Sequence, residues 1–326
     1  MNAETVWASL DPRRREAITR ALNVSGAGSV LLQTQINKVV QQLTNRYLGV
    51  GSTLDRRPGS GNAAYINRRT AGTTGGAWVA DTDTATDETG TYAQVSFTYR
   101  TLLTKGTVTR KLMATGRSYG DVLAIEMVNK AEDYANALEN ALVQGDNAAS
   151  ANQISGILTL VNAQTSQVVA NSTLAAGASL SLAKLDEAID AVRGSGSRSD
   201  VVIYGSLAGL RKLNAALQAQ QQFVNVTEIA AGFRVRSYDG IPIVQTTSMP
   251  DVLTWSGSSI TAFSAGATTA LAVVNKRYCW IEELTPLTVM PLARTTSQND
   301  GFEMYSDVAW VYSNTKGAAL LGGIAV

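Results

Sequence analysis

"YGDVLAIEMVNKAEDYANALENALVQGD", residues 119–146, is the stretch that decides how the rest of the chain is read. Ala124, Val128, Ala131, Ala135, Leu138 and Leu142 recur at spacings of four and three, which places them on one stripe of an α-helix. Ser118 stands where a cap is expected, and Gly145 stands where a helix stops. Glu126 and Lys130 form an i,i+4 pair on another face. About 27 residues at ~1.5 Å each make a rod of ~40 Å, longer than most globular helices need.

Ahead of this rod the text is extended. "AAYINRR" (63–69) and "AWVA" (77–80) lead out, "DTDTATDETGT" (81–91) is polar and acidic, and "YAQVSFTYRTLLTKGTVTRKLM" (92–113) returns. Val95, Phe97 and Tyr99 alternate as in a half-buried strand. A hairpin with arms of ten to fifteen residues reaches roughly 35–50 Å. A two-stranded ribbon of that length is not stable alone, so it needs something to lie on. Further upstream, Asp11 and Pro12 open a helix over "RRREAITRALN", and "SVLLQTQINKVVQQLTNRYL" is amphipathic at helical spacing. "VGSTLDRRPGSGN" (50–62) then breaks the pattern with Gly, Pro and Ser and reads as a hinge.

Downstream, residues 154–285 read as a compact α/β domain. "ISGILTLVN", "SQVVAN" and "VVIYGS" are strand-like, whereas "SLAKLDEAIDAVR" (181–193) and "SLAGLRKLNAALQAQ" are amphipathic helices. "FRVRSYDGIPIVQTT" is a hairpin turning at Asp239-Gly240. The tail returns to β structure through "LTVMPLAR" (287–294) and "FEMYSDVAWVYS" (302–313).

Composition narrows the chemistry. The chain contains no histidine, which removes Ser-His-Asp and Cys-His catalysis and the usual imidazole metal sites. Its one cysteine, Cys279, lies in the apolar, aromatic text "NKRYCWIEEL" and reads as a buried structural thiol. No apolar stretch is long enough to cross a membrane as a helix, and the first residues lack the apolar core of a secretory signal. Only 16% of residues are charged, which suits a protein that hides much of its surface against copies of itself. No cofactor and no metal site are expected.

The order of elements carries a resemblance. A helical N-terminal arm, a long β loop, a long spine helix, a compact α/β domain and a β-rich return are similar to the Hong Kong 97-type fold. That is the α+β fold of tailed-bacteriophage major capsid proteins and of encapsulin compartments. "QISGILT", "VVIYGSLAGLRKLNAA", "YDGIPIVQTTSMP" and "DGFEMYSDVAWVYSNTKGAALL" resemble the family in the same order. The resemblance implies an N-terminal arm at 1–60 and an extended loop at 61–117. It implies a peripheral domain at 118–153 and 286–326, holding the spine helix, and an axial domain at 154–285. It also implies pentamers and hexamers closing an icosahedral shell around double-stranded DNA, with the chain located in the virion after assembly in the host cytoplasm. Scaffolding protein, portal and a decoration protein are the further partners implied; no membrane is involved. Because the sequence starts with Met1, a separate scaffolding protein is expected in place of a fused one. Some members crosslink a loop lysine to a peripheral asparagine. Here Lys105 is the only lysine in 61–110, and Tyr305 stands near the asparagine's place, so no crosslink is expected.

Charge is uneven. Residues 1–71 hold ten Lys/Arg against four acidic residues, net +6, whereas 72–99 hold Asp81, Asp83, Asp87 and Glu88 and no basic residue. The acidic tip supplies oxygen ligands in a D-x-D spacing, but it lacks the glycine and terminal glutamate of a calcium loop. A solvated or salt-bridging tip is the preferred reading. It is expected to meet basic residues of a neighbouring subunit, with Arg13, Arg14, Arg15, Arg56, Arg57, Arg68 and Arg69 as candidates and such pairs fixing register more than affinity. The cluster Arg13–Arg15 is equally readable as a solvated helix face or as a sequence-blind contact to DNA phosphate. Trp78, Trp255, Trp280 and Trp310 read as packing or interface anchors, with Trp78 placed on the loop. Glu282 and Glu283 are neighbours on a strand and face opposite sides, which makes a poor acid/base pair. The rival readings are an encapsulin-type shell and, from another class, an α/β enzyme, for which no catalytic constellation is found.

Overall fold

The structure, a computed structural model, describes residues 48–71, 78, 80–81, 89–116, 121–192, 200–219, 225–230, 233–292 and 298–326. Two sheets and one long helix carry the architecture.

The larger sheet has seven strands. They are β5 (Val168–Ala170), β6 (Val201–Gly205), β7 (Asn225–Ala230), β8 (Phe233–Tyr238), β9 (Ile241–Gln245), β12 (Thr268–Asn275) and β15 (Ala318–Ala325), arranged β5-β15-β12-β6-β9-β8-β7. β5 runs parallel to β15 and β6 parallel to β9; the other pairs are antiparallel. β8 and β9 meet at Asp239-Gly240, both with positive φ, the conformation a tight hairpin demands. β12 is buried at all eight positions. Strands covered on both faces read as continuous apolar runs, and residues 270–274 do so between the buried polar ends Thr268, Thr269 and Asn275. Alternate residues feed two cores. Val201, Ile203, Leu271, Val273, Ala319 and Leu321 pack with α5 (Leu182–Ala191) and α6 (Leu207–Ala219). On the other side Val202, Tyr204, Ala272, Val274 and Leu320 pack under the long helix α3 (Val122–Gln144), under α4 (Ile157–Asn162) and against the second sheet.

That second sheet has the order β1-β13-β14-β4, from β1 (Arg56–Pro58), β4 (Arg100–Thr109), β13 (Cys279–Leu292) and β14 (Asn299–Tyr312). Phe302, Met304, Ser306, Val308 and Trp310 alternate inward along β14 and are buried. Tyr134 of α3 hydrogen-bonds Ser306 through their hydroxyls. Gly106 of β4 lies opposite Phe302, whose ring comes to 2.5 Å of where a Cβ would sit. The strand therefore needs glycine to seat that ring. β2 (Ala63–Ala71) and β3 (Thr91–Thr98) form a separate antiparallel ribbon, and β10 (Thr254–Ser256) with β11 (Ser259–Ala262) a short hairpin.

Several sequence expectations are corrected here. The long helix begins at Val122, and its cap is Asp121, which accepts from the Leu123 and Ala124 amides; Ser118 lies outside the described residues. Its buried side is Tyr134, Leu138, Glu139, Leu142 and Val143, while Ala124 and Val128 are exposed. The apolar stripe is real, but among the described residues only its C-terminal half meets a core. Lys130 pairs with Asp133 at 3.2 Å, not with Glu126. "ILTLVN" is helical, not extended, because Ile157, Leu158 and Val161 reach the core at helical spacing. Arg110–Gly116 turns into a helix, α2, where the sequence reading continued a strand. "VGSTLDRRPGSGN" is not a free break: Val50–Thr53 forms a helical turn, α1, and Arg56–Pro58 is a strand paired with β13. Finally, "AALLGGIA" does not stay with β13 and β14; it crosses into the larger sheet between β5 and β12. The helices expected within 1–48 lie essentially outside the described residues.

Candidate functional site

Among the described residues, the arginines expected to make contacts gather in two regions: the root of the N-terminal segment and the β2–β3 ribbon.

The root is clamped. Glu139 is buried on α3, and both of its oxygens are occupied. Oε1 accepts from the Val50 amide at 2.8 Å and from the Thr246 hydroxyl at 2.8 Å; Oε2 accepts from the Gly51 amide at 2.7 Å. A buried carboxylate is tolerable only when its lone pairs are filled in this way. The Thr53 and Tyr204 hydroxyls meet at 2.5 Å, tying the same turn to the large sheet. Gly49 lies so close to the β9 backbone that a Cβ there would sit 2.5 Å from the Gln245 carbonyl oxygen. Sequence reasoning missed this cluster. The available signal was a glutamate directly beside Leu138 on an apolar stripe.

Next to the root, the predicted arginines find partners in their own chain. Arg56 Nη1 lies 2.5 Å from Glu283 Oε1. Arg57 stacks over Trp280 at 4.1 Å, with Asp55 at 3.9 Å. The Ile281 amide donates to the Asp55 carbonyl, and the Gly59 amide donates to that of Glu283. Glu282 takes a different partner, the Tyr99 hydroxyl at 2.5 Å. Withdrawal from water, then the hydrogen bond to Glu282, push Tyr99 up to about 12. The two glutamates thus serve separate contacts, as their strand positions imply.

The ribbon has two unlike faces. Ala64, Ile66 and Arg68 of β2 lie opposite Phe97, Val95 and Ala93 of β3, and this face is the more buried. Arg68 Nε donates to the Ser313 carbonyl at 2.6 Å and Nη2 donates to the Tyr312 carbonyl, with the guanidinium 5.9 Å from the Phe97 ring. Tyr65, Asn67, Arg69, Tyr92 and Gln94 occupy the other face, where Tyr65 is 60% and Tyr92 70% exposed. Trp78 is fully exposed, and Asp81 is exposed at the described edge of the loop. Asp83, Asp87, Glu88 and Arg13, Arg14 and Arg15 lie outside the described residues. Trp255, Trp280 and Trp310 pack in or against the body, whereas Trp78 does not. The exposed tyrosines were not singled out from sequence, although their alternation with Ile66 and Val95 was legible.

Cys279 is fully buried in β13, and burial pushes its thiol far up, out of reach of ionisation. No described helix is long and apolar enough to cross a membrane.

Comparison with known proteins places this geometry. The chain matches the sequence profile of the phage capsid family over residues 28–305. A search of curated proteins finds no match. Among solved structures, the capsid of a native GTA particle aligns with a TM-score of 0.67 at 16% identity, covering 94% of this chain and 100% of that one. The SrpI encapsulin of Synechococcus elongatus PCC 7942 aligns at 0.67 with 10% identity, covering 92% and 95%. The capsid of cyanophage P-SCSP1u aligns at 0.62 with 13% identity, covering 93% and 95%. These likenesses carry the Hong Kong 97-type fold, and the sequence match carries the family: the chain belongs to the phage capsid family.

Proposed function

We propose that this chain is the major capsid protein of a tailed phage, building an icosahedral shell of pentamers and hexamers around double-stranded DNA. The observation that carries the reading is the ribbon. Its Tyr65 and Tyr92 face, with Trp78 beyond it, exposes aromatic surface that the described residues do not cover. Such surface marks an interaction site. In a phage capsid family member the partner is another copy of the chain.

In this reading residues 1–60 are the arm, 61–117 the extended loop, 118–153 and 286–326 the peripheral domain, and 154–285 the axial domain, with β15 lent to the axial sheet. Ring-closing contacts between axial domains build each capsomer. Arm and loop add weak contacts that become strong together because one chain tethers them. The tip Asp81, Asp83, Asp87 and Glu88 meets basic residues of a neighbour. Arg69 and the Arg13–Arg15 cluster suit that role better than Arg56, Arg57 and Arg68, which are engaged at home. Scaffolding protein, portal and decoration protein complete the set of partners, contact with DNA is non-specific, and assembly takes place in the host cytoplasm. Catalysis is no part of the role.

Electron microscopy of the purified chain, alone and with neighbouring gene products, tests the reading. Closed icosahedral shells or flat hexamers support it; a monodisperse monomer at high concentration overturns it. The likeness to an encapsulin favours a second reading, a shell that encloses protein. Nuclease-resistant DNA inside particles from infected cells supports the first, and particles holding protein cargo and no DNA support the second.

A further inference from the structure

We propose that Arg68 is a latch that sets the angle at which the β2–β3 ribbon leaves the body, and that releasing it lets the ribbon swing about Tyr99 toward a cavity at its base. This goes beyond the shell reading and concerns the chain itself.

Three observations combine. First, Arg68 lies far out on the bound face of the ribbon. Beyond it Arg69, Thr70 and Tyr92 are exposed. Its guanidinium grips two successive carbonyls, Tyr312 and Ser313, where β14 ends. A planar fork of donors suits two neighbouring acceptors, and an ammonium cannot reproduce that geometry. Second, the ribbon has a pivot. β3 stops at Thr98 and β4 starts at Arg100, and between them Tyr99 is held by Glu282. Gly59 packs against the Tyr99 ring so closely that a Cβ there would lie 2.4 Å from the hydroxyl oxygen. The pivot is therefore anchored independently of Arg68. Third, there is room to move. A cavity of about 310 Å³ lies at the base of the ribbon, lined by Val95, Phe97 and Arg100 together with Asn147, Ile154 and Trp310. Beside the Arg68 fork, the ribbon's hold on the body lies near its base, at Ala63, Ala64 and the half-buried Ile66, Val95 and Phe97. A lever of eight residues at ~3.3 Å each is roughly 25 Å long, so a turn of about 10° at the pivot moves its far end by ~4 Å.

The buried Cys279 makes the test clean, because thiols placed on the surface are labelled alone. Nitroxides are attached at Asn67→Cys on the ribbon and Asn140→Cys on the exposed side of α3. The distance between them is read by pulsed dipolar spectroscopy, with labelled full-length chain diluted in unlabelled chain. With Arg68 present a single narrow distance is expected. Arg68→Ala is expected to lose it, giving a shifted and broader distribution, and Arg68→Lys to fall between. A distribution in Arg68→Ala that coincides with the parent's overturns the proposal. If Cys279 becomes reactive to a thiol reagent in Arg68→Ala, the fold itself has opened and Arg68→Lys decides: a parent-like distribution there overturns the latch. Shell formation is scored separately by microscopy, so failure of the shell reading and failure of the latch give different results.

Discussion

The seven-stranded sheet and the β2–β3 ribbon are both β structure, yet they differ in what holds them. β12 is buried on both faces and flanked by partners on both edges. β3 shows the burial pattern of a strand that meets the body only near its end. The sheet is stabilised by its own chain. The ribbon is stabilised by a few contacts at its base, with one arginine further out. Sequence alternation alone does not separate the two cases; what separates them is whether both faces find cover.

The sharpest way to break the comparison is truncation in the sheet. Leu271 is fully buried between the strands and α6, so Leu271→Ala is expected to cost about 2–5 kcal/mol. A urea unfolding curve reads this as a lower midpoint with unchanged slope. Glu139→Ala comes next. It strips acceptors from the Val50 and Gly51 amides and the Thr246 hydroxyl; with water entering the space the side chain leaves, the loss expected is that of one unsatisfied buried donor, about 1–3 kcal/mol. Hydrogen exchange should show the Val50 and Gly51 amides losing protection while those of β12 keep theirs. Equal protection in variant and parent would show that the clamp at the root is not set by this carboxylate.

A smaller effect is expected at high pH. The folded chain holds the Tyr99 proton up to about 12, whereas the unfolded chain releases it near 10.0. The stability that Tyr99 contributes is therefore whole below about pH 10 and is lost as pH climbs through about 12. Tyr99→Phe should make alkaline unfolding shallower in that window. A residual slope is expected from Tyr238, which burial and Asp186 also push up to about 12. The smallest effect on stability is expected on the ribbon. Tyr92→Ala should change unfolding by no more than about 0.5 kcal/mol, yet lower the yield of closed shells. A loss of stability comparable to Leu271→Ala would mean that Tyr92 serves its own subunit.

Much of this contrast was legible in the residues. "VVIYG" announced a strand, "YDG" announced a turn, and the ribbon's alternation announced a half-covered hairpin. Three things were not legible. The stripe from Ala124 to Leu142 gives no sign of where its cover ends, because a helix facing another subunit has the same period as one facing its own core. "VGSTLDRRPGSGN" has the composition of a linker, and only long-range contacts to Glu139 and to β13 turn it into structure. "AALLGGIA" adjoins β14 in sequence, but a strand's choice of sheet depends on which edge is open. Of the candidate site, Glu139 and the contacts it holds were not singled out from sequence. That Arg56, Arg57 and Arg68 would be used within the chain was not legible either, since partner choice for an exposed charge rests on geometry that spacing does not encode.

The passage between the two sheets has one more consequence. The chain crosses from β12 to β13 and again from β14 to β15, and the crossings are stitched together. The Ser313 amide and hydroxyl both donate to the Tyr278 carbonyl, and the Asn275 amide donates to the Gly317 carbonyl. Arg68 grips the chain at this same seam. Tension carried by Arg68 therefore reaches the body where two crossings run side by side, beside the covalent entries of the ribbon through β1 and β4.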